Sequence, residues 1–187
     1  MWAAGRCGHR LGTPGFASRI GQMIGVGDRV PAGVLKELGP DGPQTVSTDS
    51  LLSGRKVVLF SCPGAFTPKS TQKQVPGFLE HADEILAMGI DEIICISVND
   101  SFVMAAWGEY LGVGDKIRML ADGQCEFHTS MGMQMDCTRF SLGFRNHRFS
   151  MLIDDGVVKE LNLEEPGGYD VSDAGVIVEQ LRQRRGS

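Results

Sequence analysis

The sequence predicts an α/β fold in which a central mixed β-sheet carries helices on both faces. Two apolar, β-branched runs in the middle of the chain are typical of strands buried on both sides, and amphipathic helical segments separate them. The full order is β-α-β-α-β, followed by a helix, a β-hairpin and a closing helix, as in a layered α/β domain. A length of 187 residues, of which 42% are hydrophobic and 22% charged, suits one globular domain with a short extension. We expect that domain to span residues 26–184.

The first half of this domain contains one clear strand and one interrupted helix. Residues 32–38 predict an edge strand or hairpin arm, and the turn residues Gly39–Pro43 end it. The run Lys56–Ser61 is apolar almost throughout and predicts the first buried strand. A helix is expected from about Pro68 to Gly89, with a kink or restart at Pro76, because proline has no N–H to donate to the preceding turn.

The second half repeats the alternation and closes with a hairpin and a helix. Asn99–Ser101 offers a helix N-cap after the second buried strand, and a glycine-containing turn at Asp154–Gly156 separates two apolar strands. The expected elements are strand 92–98, helix 102–111 ending at Gly112, strand 117–121, helix 124–131, hairpin strands 149–153 and 157–161, and helix 172–184.

The N-terminal segment is basic and lacks acidic residues before Asp28. It contains Arg6, Arg10 and Arg19, a balance that is typical of an organelle transit peptide. A disordered tail is the alternative. The sequence therefore predicts that residues 1–24 lie outside the folded domain and direct import into mitochondria, with a cytoplasmic location as the alternative.

Several function classes have no support in the composition. A net charge of -5, with no long basic run after the first thirty residues, argues against a nucleic-acid partner. No apolar run approaches the roughly 18–20 residues that span a bilayer, so no membrane association is expected. Nucleotide-binding glycine motifs are absent, and we expect no cofactor. The five cysteines form no CxxC pair and no zinc-ligand spacing, which disfavours a disulfide framework, a thioredoxin-type oxidoreductase and a metal site; they are Cys7, Cys62, Cys95, Cys125 and Cys137.

The segment between the first buried strand and its helix carries the most specific signal. From Pro63 to Phe78 it reads PGAFTPKSTQKQVPGF. This resembles the pattern P-G-A-F-T-P-x-C-S-x-x-H-x-P-G-F of peroxiredoxins of the type II, or peroxiredoxin-five, subfamily. The resemblance continues through residues 97–108, 116–122 and 148–158, and it covers about residues 26–182. It implies a thioredoxin-like fold for the redoxin domain.

The resemblance also implies an activity and a set of site residues. Peroxiredoxins are thiol peroxidases that reduce hydrogen peroxide and alkyl hydroperoxides with electrons from thioredoxin, glutaredoxin or glutathione. A cysteine thiolate attacks the peroxide, and a helix N-terminus and an arginine lower its pKa. By register the catalytic positions are Ser70, Thr67 and Arg148, with Arg145 as the fallback for the arginine. The substrate-binding positions implied are Pro63 and Pro68, which shield the pocket, and Lys69, whose backbone N–H with that of its neighbour binds the peroxide oxygens.

Two departures from the family pattern fall in the catalytic turn. Ser70 replaces the peroxidatic cysteine, and Gln74 replaces the usual histidine. A serine hydroxyl needs a positioned general base, and it has no counterpart to the sulfenic acid that sulfur forms, so we expect no peroxide reduction. Either the serine is an engineered substitution or the protein has naturally lost the chemistry, and Gln74 favours the natural case. The alternative function is a non-catalytic redoxin-fold protein for interaction or sensing.

The remaining cysteines offer no clear replacement for the missing thiol. Cys62 is interpreted as a buried residue at a strand end, and the family's second cysteine would fall near Val171, where none is present.

The subfamily commonly forms homodimers through loops around the catalytic turn. Phe66, Trp107 and Phe78 could supply apolar contacts there, and packing in the monomer core is the alternative for these aromatic residues.

Overall fold

The computed structural model describes residues 22–186 and contains one large and one small β-sheet. The expected transit peptide, residues 1–24, lies outside the described residues except for its last three. Ile24 is buried, and its N–H donates to the carbonyl of Met131 at 2.9 Å. The folded domain therefore includes residues that precede the expected boundary at residue 26.

The large sheet has seven strands in the order β2-β1-β5-β4-β3-β8-β9. In it, β3 and β5 lie parallel to β4, whereas β8 runs antiparallel to β3 and β1 antiparallel to β5. The strands are β1 (Val34–Gly39), β2 (Gly42–Ser47), β3 (Lys56–Cys62), β4 (Glu92–Ser97), β5 (Arg118–Ala121), β6 (Gln134–Asp136), β7 (Phe144–Asn146), β8 (Phe149–Asp154) and β9 (Val157–Leu163). The predicted mixed sheet is confirmed.

Helices cover both faces of this sheet. They are α1 (Thr48–Leu52), α2 (Val75–Glu80), α3 (Ala82–Ala87), α4 (Ser101–Leu111), α5 (Glu126–Ser130) and α6 (Ala174–Arg185). A π-helical turn (Ser70–Gln74) precedes α2, and a 3₁₀ turn (Thr138–Phe140) lies between β6 and β7. Among residues 22–186, no helix is both long enough and apolar enough to cross a membrane.

Alternate residues of the central strands pack into two separate apolar layers. Phe60 on β3 packs with α2, α3, α4 and α6, and its ring stacks on Phe78 with centroids 4.0 Å apart. Leu59 packs on the other face with Phe127 of α5 and Phe149 of β8. Because side chains alternate across a strand, the apolar run predicted as a doubly buried strand supplies both layers.

The helical segment after β3 differs in detail from the prediction. Pro76 does begin a new helical stretch, but a π turn precedes it, in which the N–H of Val75 donates to the carbonyl of Ser70. Since Pro76 has no N–H, the regular ladder cannot pass through it, and the backbone widens by one residue. A second interruption at His81 separates α2 from α3, and no sequence signal pointed to it.

Short elements account for most of the secondary structure that was not predicted. Strand β2 contains Pro43 and is mostly polar and exposed, as an edge strand tolerates, so the sequence suggested only a turn. Helix α1 and strands β6 and β7 each have five residues or fewer, which is too short for a hydrophobic period to be recognised in the sequence. The last helix begins at Ala174, two residues later than predicted, because the Asp173 carboxylate caps it.

Candidate active site

The loop from β3 into its helix is fixed by hydrogen bonds to its own backbone and to β4. The side-chain oxygen of Asn99 accepts from the N–H of Ala65 at 2.8 Å, and the carbonyl of Gly64 accepts from the Thr67 hydroxyl at 2.8 Å. Phe66 has a φ of 60°, the left-handed conformation of a tight turn. The helical backbone starts at Pro68, so Ser70 lies in its first turn, as predicted.

Ser70 meets Thr67 and Arg148 in a buried cluster. One guanidinium nitrogen of Arg148 donates to Ser70 Oγ at 3.2 Å, across 78 positions of sequence. Thr67 Oγ1 lies 2.8 Å from Ser70 Oγ. The Thr67 hydroxyl faces both Ser70 Oγ and the carbonyl of Gly64, and its one proton can serve only one of these contacts at a time. Thr67, Ser70 and Arg148 thus form one hydrogen-bonded cluster that places a positive charge against Ser70 Oγ.

Gln74 holds the arginine in place from the other side. Its side-chain oxygen accepts from Arg148 and, at 3.3 Å, from the thiol of Cys62. Its amide nitrogen donates to the carbonyl of Ser61 at 3.3 Å. Gln74 is fully buried with both ends of its amide bonded, so the residue that departs from the family pattern is an integral part of this site.

Tyr169 covers the arginine from the C-terminal segment. The Arg148 guanidinium lies 5.7 Å from the centre of the Tyr169 ring. Burial, followed by the nearby Asp173 carboxylate, raises the pKa of Tyr169 to about 12, so the ring stays neutral at physiological pH. Glu164 organises this segment, because its Oε1 accepts from the N–H groups of Asp170, Val171 and Ser172 at 2.8, 2.8 and 2.7 Å.

Glu164→Gln is expected to destabilise the protein most at neutral pH. Burial alone would raise the pKa of Glu164, but the backbone hydrogen bonds outweigh it and lower the pKa below its usual value. The stabilisation is therefore complete above the unfolded-state pKa of about 4.3 and is lost as the pH falls through the lower folded-state pKa. We expect a loss of about 2–3 kcal/mol at pH ~7 that narrows towards pH ~3.5, measured by urea unfolding.

The exposed Glu179 on α6 supplies the matched control for that experiment. Glu179→Gln should change the free energy of unfolding by less than about 0.5 kcal/mol at either pH. A Glu164→Gln loss that is equally large at both pH values would contradict the role assigned to the carboxylate charge.

The other positions implied by the family pattern lie at the rim of the cluster. Pro63 is half-buried, whereas Pro68 and Lys69 are exposed, and the Lys69 ammonium donates to the carbonyl of Gly167. Arg145, the fallback arginine, instead donates to the carbonyl of Val98 at 3.0 Å. The structure therefore brings together Ser70, Thr67 and Arg148 and leaves Arg145 bracing the neighbouring loop.

Two cysteines lie directly beneath the cluster. Cys62 and Cys95 are fully buried on adjacent strands, with sulfur atoms 4.0 Å apart. Burial, together with the hydrogen bond to Cys62, raises the pKa of Cys95 well above its usual value. The interpretation of Cys62 as a buried strand-end residue is confirmed, and buried thiols of this kind are poor nucleophiles.

Comparison with known proteins identifies the family. The Redoxin family profile matches residues 25–177. Peroxiredoxin-2E-2, chloroplastic, from Oryza sativa subsp. japonica is 47% identical over 170 residues, covering 88% of this chain and 76% of the relative. The chain belongs to the peroxiredoxin family. Peroxiredoxin-2F, mitochondrial, from Arabidopsis thaliana is 41% identical over 138 residues, covering 73% of this chain and 69% of the relative.

A solved peroxiredoxin structure supports the same assignment. Reduced Prx3 from Vibrio vulnificus, in complex with hydrogen peroxide, superimposes with a TM-score of 0.82 at 43% identity. The match covers 85% of this chain and 99% of that one. The thioredoxin-like fold is confirmed, and this peroxiredoxin carries the architecture of a family of thiol peroxidases.

Sequence reasoning did not single out three residues that complete the site. Tyr169 covers Arg148, Asn99 fixes the loop that follows β3, and Ser61 supplies the carbonyl that orients Gln74. The sequence marks Asn99 only as part of a helix cap. No local pattern marks Tyr169 or Ser61, since their contacts arise from chain segments that are distant in sequence.

Proposed function

We propose that this peroxiredoxin retains the family's peroxide pocket but does not reduce peroxide, because Ser70 stands where the nucleophilic thiolate is required. The observation that carries the proposal is the position of Ser70 Oγ, 3.2 Å from the Arg148 guanidinium. In the family reaction, a thiolate attacks one peroxide oxygen, an S–O bond forms, the O–O bond breaks and the leaving oxygen is protonated. Ser70 has no sulfur to receive that oxygen.

The surroundings of Ser70 do not supply an alternative activation. A serine nucleophile needs a general base to accept its proton. The neighbouring side chains are a hydroxyl on Thr67, a neutral amide on Gln74, and the cations of Arg148 and Lys69, which are donors only. The roles proposed for Thr67, Arg148 and the loop at Pro63, Pro68 and Lys69 are therefore the binding and orientation of a peroxide or similar small oxygen ligand.

The direct test is the rate at which the purified chain consumes hydrogen peroxide in the presence of dithiothreitol. We expect a rate no faster than that of the Cys62→Ser variant, because Cys62 is buried and bonded to Gln74. Peptide mass spectrometry of the same samples should find Cys62 and Cys95 as unmodified thiols. Rapid turnover that disappears in Cys62→Ser would contradict the proposal and identify Cys62 as the nucleophile.

The alternative, a redoxin-fold protein for interaction or sensing, gains support from an aromatic surface beside the catalytic loop. Phe66 is 50% exposed and Tyr110 is 70% exposed, with ring centres 5.7 Å apart. Trp107 and Phe78 are fully buried, which supports for these two residues the alternative of packing in the monomer core. We propose homodimer formation through Phe66 and Tyr110, since paired exposed aromatic residues are typical of interfaces.

The proposed electron donors and location follow from the relatives. A peroxiredoxin with a working thiolate takes electrons from a thiol such as thioredoxin, glutaredoxin or glutathione, and these remain the proposed partners of any active variant. The named relatives include a chloroplastic and a mitochondrial form. We propose import into an organelle, with mitochondria favoured, on the basis of the basic N-terminal segment.

A further inference from the structure

A second buried polar cluster lies on the opposite face of the sheet from Ser70. Asp122 follows β5, Cys125 precedes α5, and His128 lies on α5, giving the spacing D-x-x-C-x-x-H. All three side chains are buried, and one ligand atom from each lies within 4.8 Å of the others. Neither the proposed peroxide pocket nor the sequence motif accounts for this cluster.

Hydrogen-bond counting shows that the cluster holds a proton that a cation could replace. Ser61 Oγ lies 3.1 Å from the carbonyl of Ile96 and 2.7 Å from His128 Nε2, and its one proton can serve only one of these contacts. His128 Nδ1 lies 2.7 Å from Oδ2 of Asp122, so one proton lies between those two atoms.

The remaining contacts already orient the carboxylate and the imidazole. Asp122 accepts from the N–H groups of Phe127 and His128 at 3.2 and 2.9 Å, and Asn146 donates to Ser61 Oγ at 2.6 Å. Burial would raise the pKa of Asp122, but its hydrogen bonds to His128 and Phe127 outweigh that effect and lower it. In metal sites, outer contacts of this kind fix the tautomer and the direction of the ligands.

Cys125 adds a sulfur ligand from an unusual backbone position. Its φ of 60° is the left-handed conformation that glycine prefers, and this strain is retained while the thiol points into the domain. The thiol donates to the carbonyl of Arg145 at 3.6 Å. Because zinc binds cysteine as the thiolate, a cation that binds here displaces the thiol proton.

We propose that Asp122, Cys125 and His128 bind one Zn²⁺ ion, with water as the fourth ligand. A carboxylate oxygen, a thiolate and an imidazole nitrogen are all zinc ligands, and zinc accepts tetrahedral coordination. The exchange is balanced: Zn²⁺ binds Nδ1 of a neutral His128 whose ring proton lies on Nε2, and the Cys125 thiol proton leaves to solvent. The Cys125 thiolate and the Asp122 carboxylate then offset the charge of the ion, which avoids the cost of an uncompensated buried charge.

A depression in the surface borders one of the three ligands. Asp122 lines a depression of about 210 Å³. The carboxylates of Asp100 and Glu126 also line it and favour a cation, while Lys36 is the one basic group among its lining residues. The depression can supply the water ligand without unfolding the β5–α5 connection.

The test adds Zn²⁺ or Co²⁺ to protein freed of metal by a chelator. We expect about one equivalent of Zn²⁺ to be retained after gel filtration, with release of the Cys125 thiol proton, and binding that tightens as the pH rises. The Co²⁺ complex should show a thiolate-to-cobalt charge-transfer band. Ser61→Ala should weaken Zn²⁺ binding about 10–100-fold, because it removes the partner that orients His128.

Cys125→Ser is the deciding variant and Cys137→Ser its matched control. Both cysteines are buried, but only Cys125 belongs to the cluster. The charge-transfer band should vanish in Cys125→Ser and persist in Cys137→Ser, and circular dichroism should show that both variants are folded. Failure to retain Zn²⁺, or a charge-transfer band that survives in Cys125→Ser, would overturn the proposal. Peroxide turnover is not read out, so the result is independent of the function proposed for Ser70.

Discussion

Ser70→Cys is expected to convert the protein into a thiol-dependent peroxidase. The new sulfur will lie at a helix start, close to the Arg148 guanidinium, which is 3.2 Å from the present Oγ, and to Thr67. Such surroundings bring a cysteine pKa from about 8.5 to about 3.5–7.5, so a thiolate is present at neutral pH. With dithiothreitol as reductant, the rate of peroxide consumption should rise by at least about 10²–10³-fold over the unmodified chain.

Two double variants separate the pocket from a general effect of adding a thiol. Ser70→Cys/Arg148→Ala should lose about 10²–10³-fold of the gained rate, because the charge facing the sulfur and the leaving oxygen is removed. Ser70→Cys/Cys62→Ser should keep the gained rate, since Cys62 is buried and bonded to Gln74. If Ser70→Cys folds but remains inactive with reductant, the pocket itself has changed. Gln74→His is then the next substitution to add, because Gln74 accepts a hydrogen bond from Arg148 where the family pattern has histidine.

Asp122→Ala should cause the largest loss of stability among single polar substitutions considered for this protein. The change leaves His128 buried without its carboxylate partner and removes the acceptor for the N–H groups of Phe127 and His128. A buried polar group left without a partner costs about 1–3 kcal/mol, and this change leaves two N–H groups and an imidazole nitrogen without one, so we expect a loss of about 3–5 kcal/mol. For a chain of this size that corresponds to a fall in melting temperature of about 6–20 °C, measured by calorimetry in the presence of a chelator.

Asp83→Ala is the matched control for that measurement. Asp83 pairs with Lys116 at 2.8 Å, but its side chain is 78% exposed. An exposed ion pair contributes little, so the melting temperature should fall by no more than about 2–4 °C. A similar small fall in Asp122→Ala would show that the Asp122–His128 contact does not stabilise the fold.

The parts of this fold that could be predicted from sequence are those in which a local pattern matches a local structure. Strand β3 contributes side chains to both apolar layers, and its run of apolar residues predicted a strand buried on both faces. The hairpin of β8 and β9 was marked by Gly156, which takes a φ of 74° in the turn. Patterns of this kind depend on residues that are close together in the chain, so the structure that they predict does not depend on contacts with distant segments.

The proximity of Arg148 to Ser70 came from family resemblance and not from periodicity. Nothing in the residues around Arg148 distinguishes it from Arg145, and only the β3–β8 pairing brings it over the helix start. The contacts of His128 with Asp122 and Ser61 were not predicted for the same reason. Asp122 follows β5 and Ser61 lies on β3, and β4 separates these two strands in the sheet. Buried polar contacts between distant segments leave no periodic trace, although they decide what a site can do.

The central claim is that Ser70 alone removes the peroxide chemistry from an otherwise competent pocket. The most direct measurement is the intact-protein mass of the unmodified chain and of Ser70→Cys after brief exposure to one equivalent of hydrogen peroxide without reductant. We expect the unmodified chain to keep its mass, because Ser70 cannot accept an oxygen atom and the thiols beneath it are buried. Ser70→Cys should gain one oxygen atom, as a sulfenic acid. An unmodified chain that gains oxygen as fast as Ser70→Cys, or a folded Ser70→Cys that does not react, would contradict the claim.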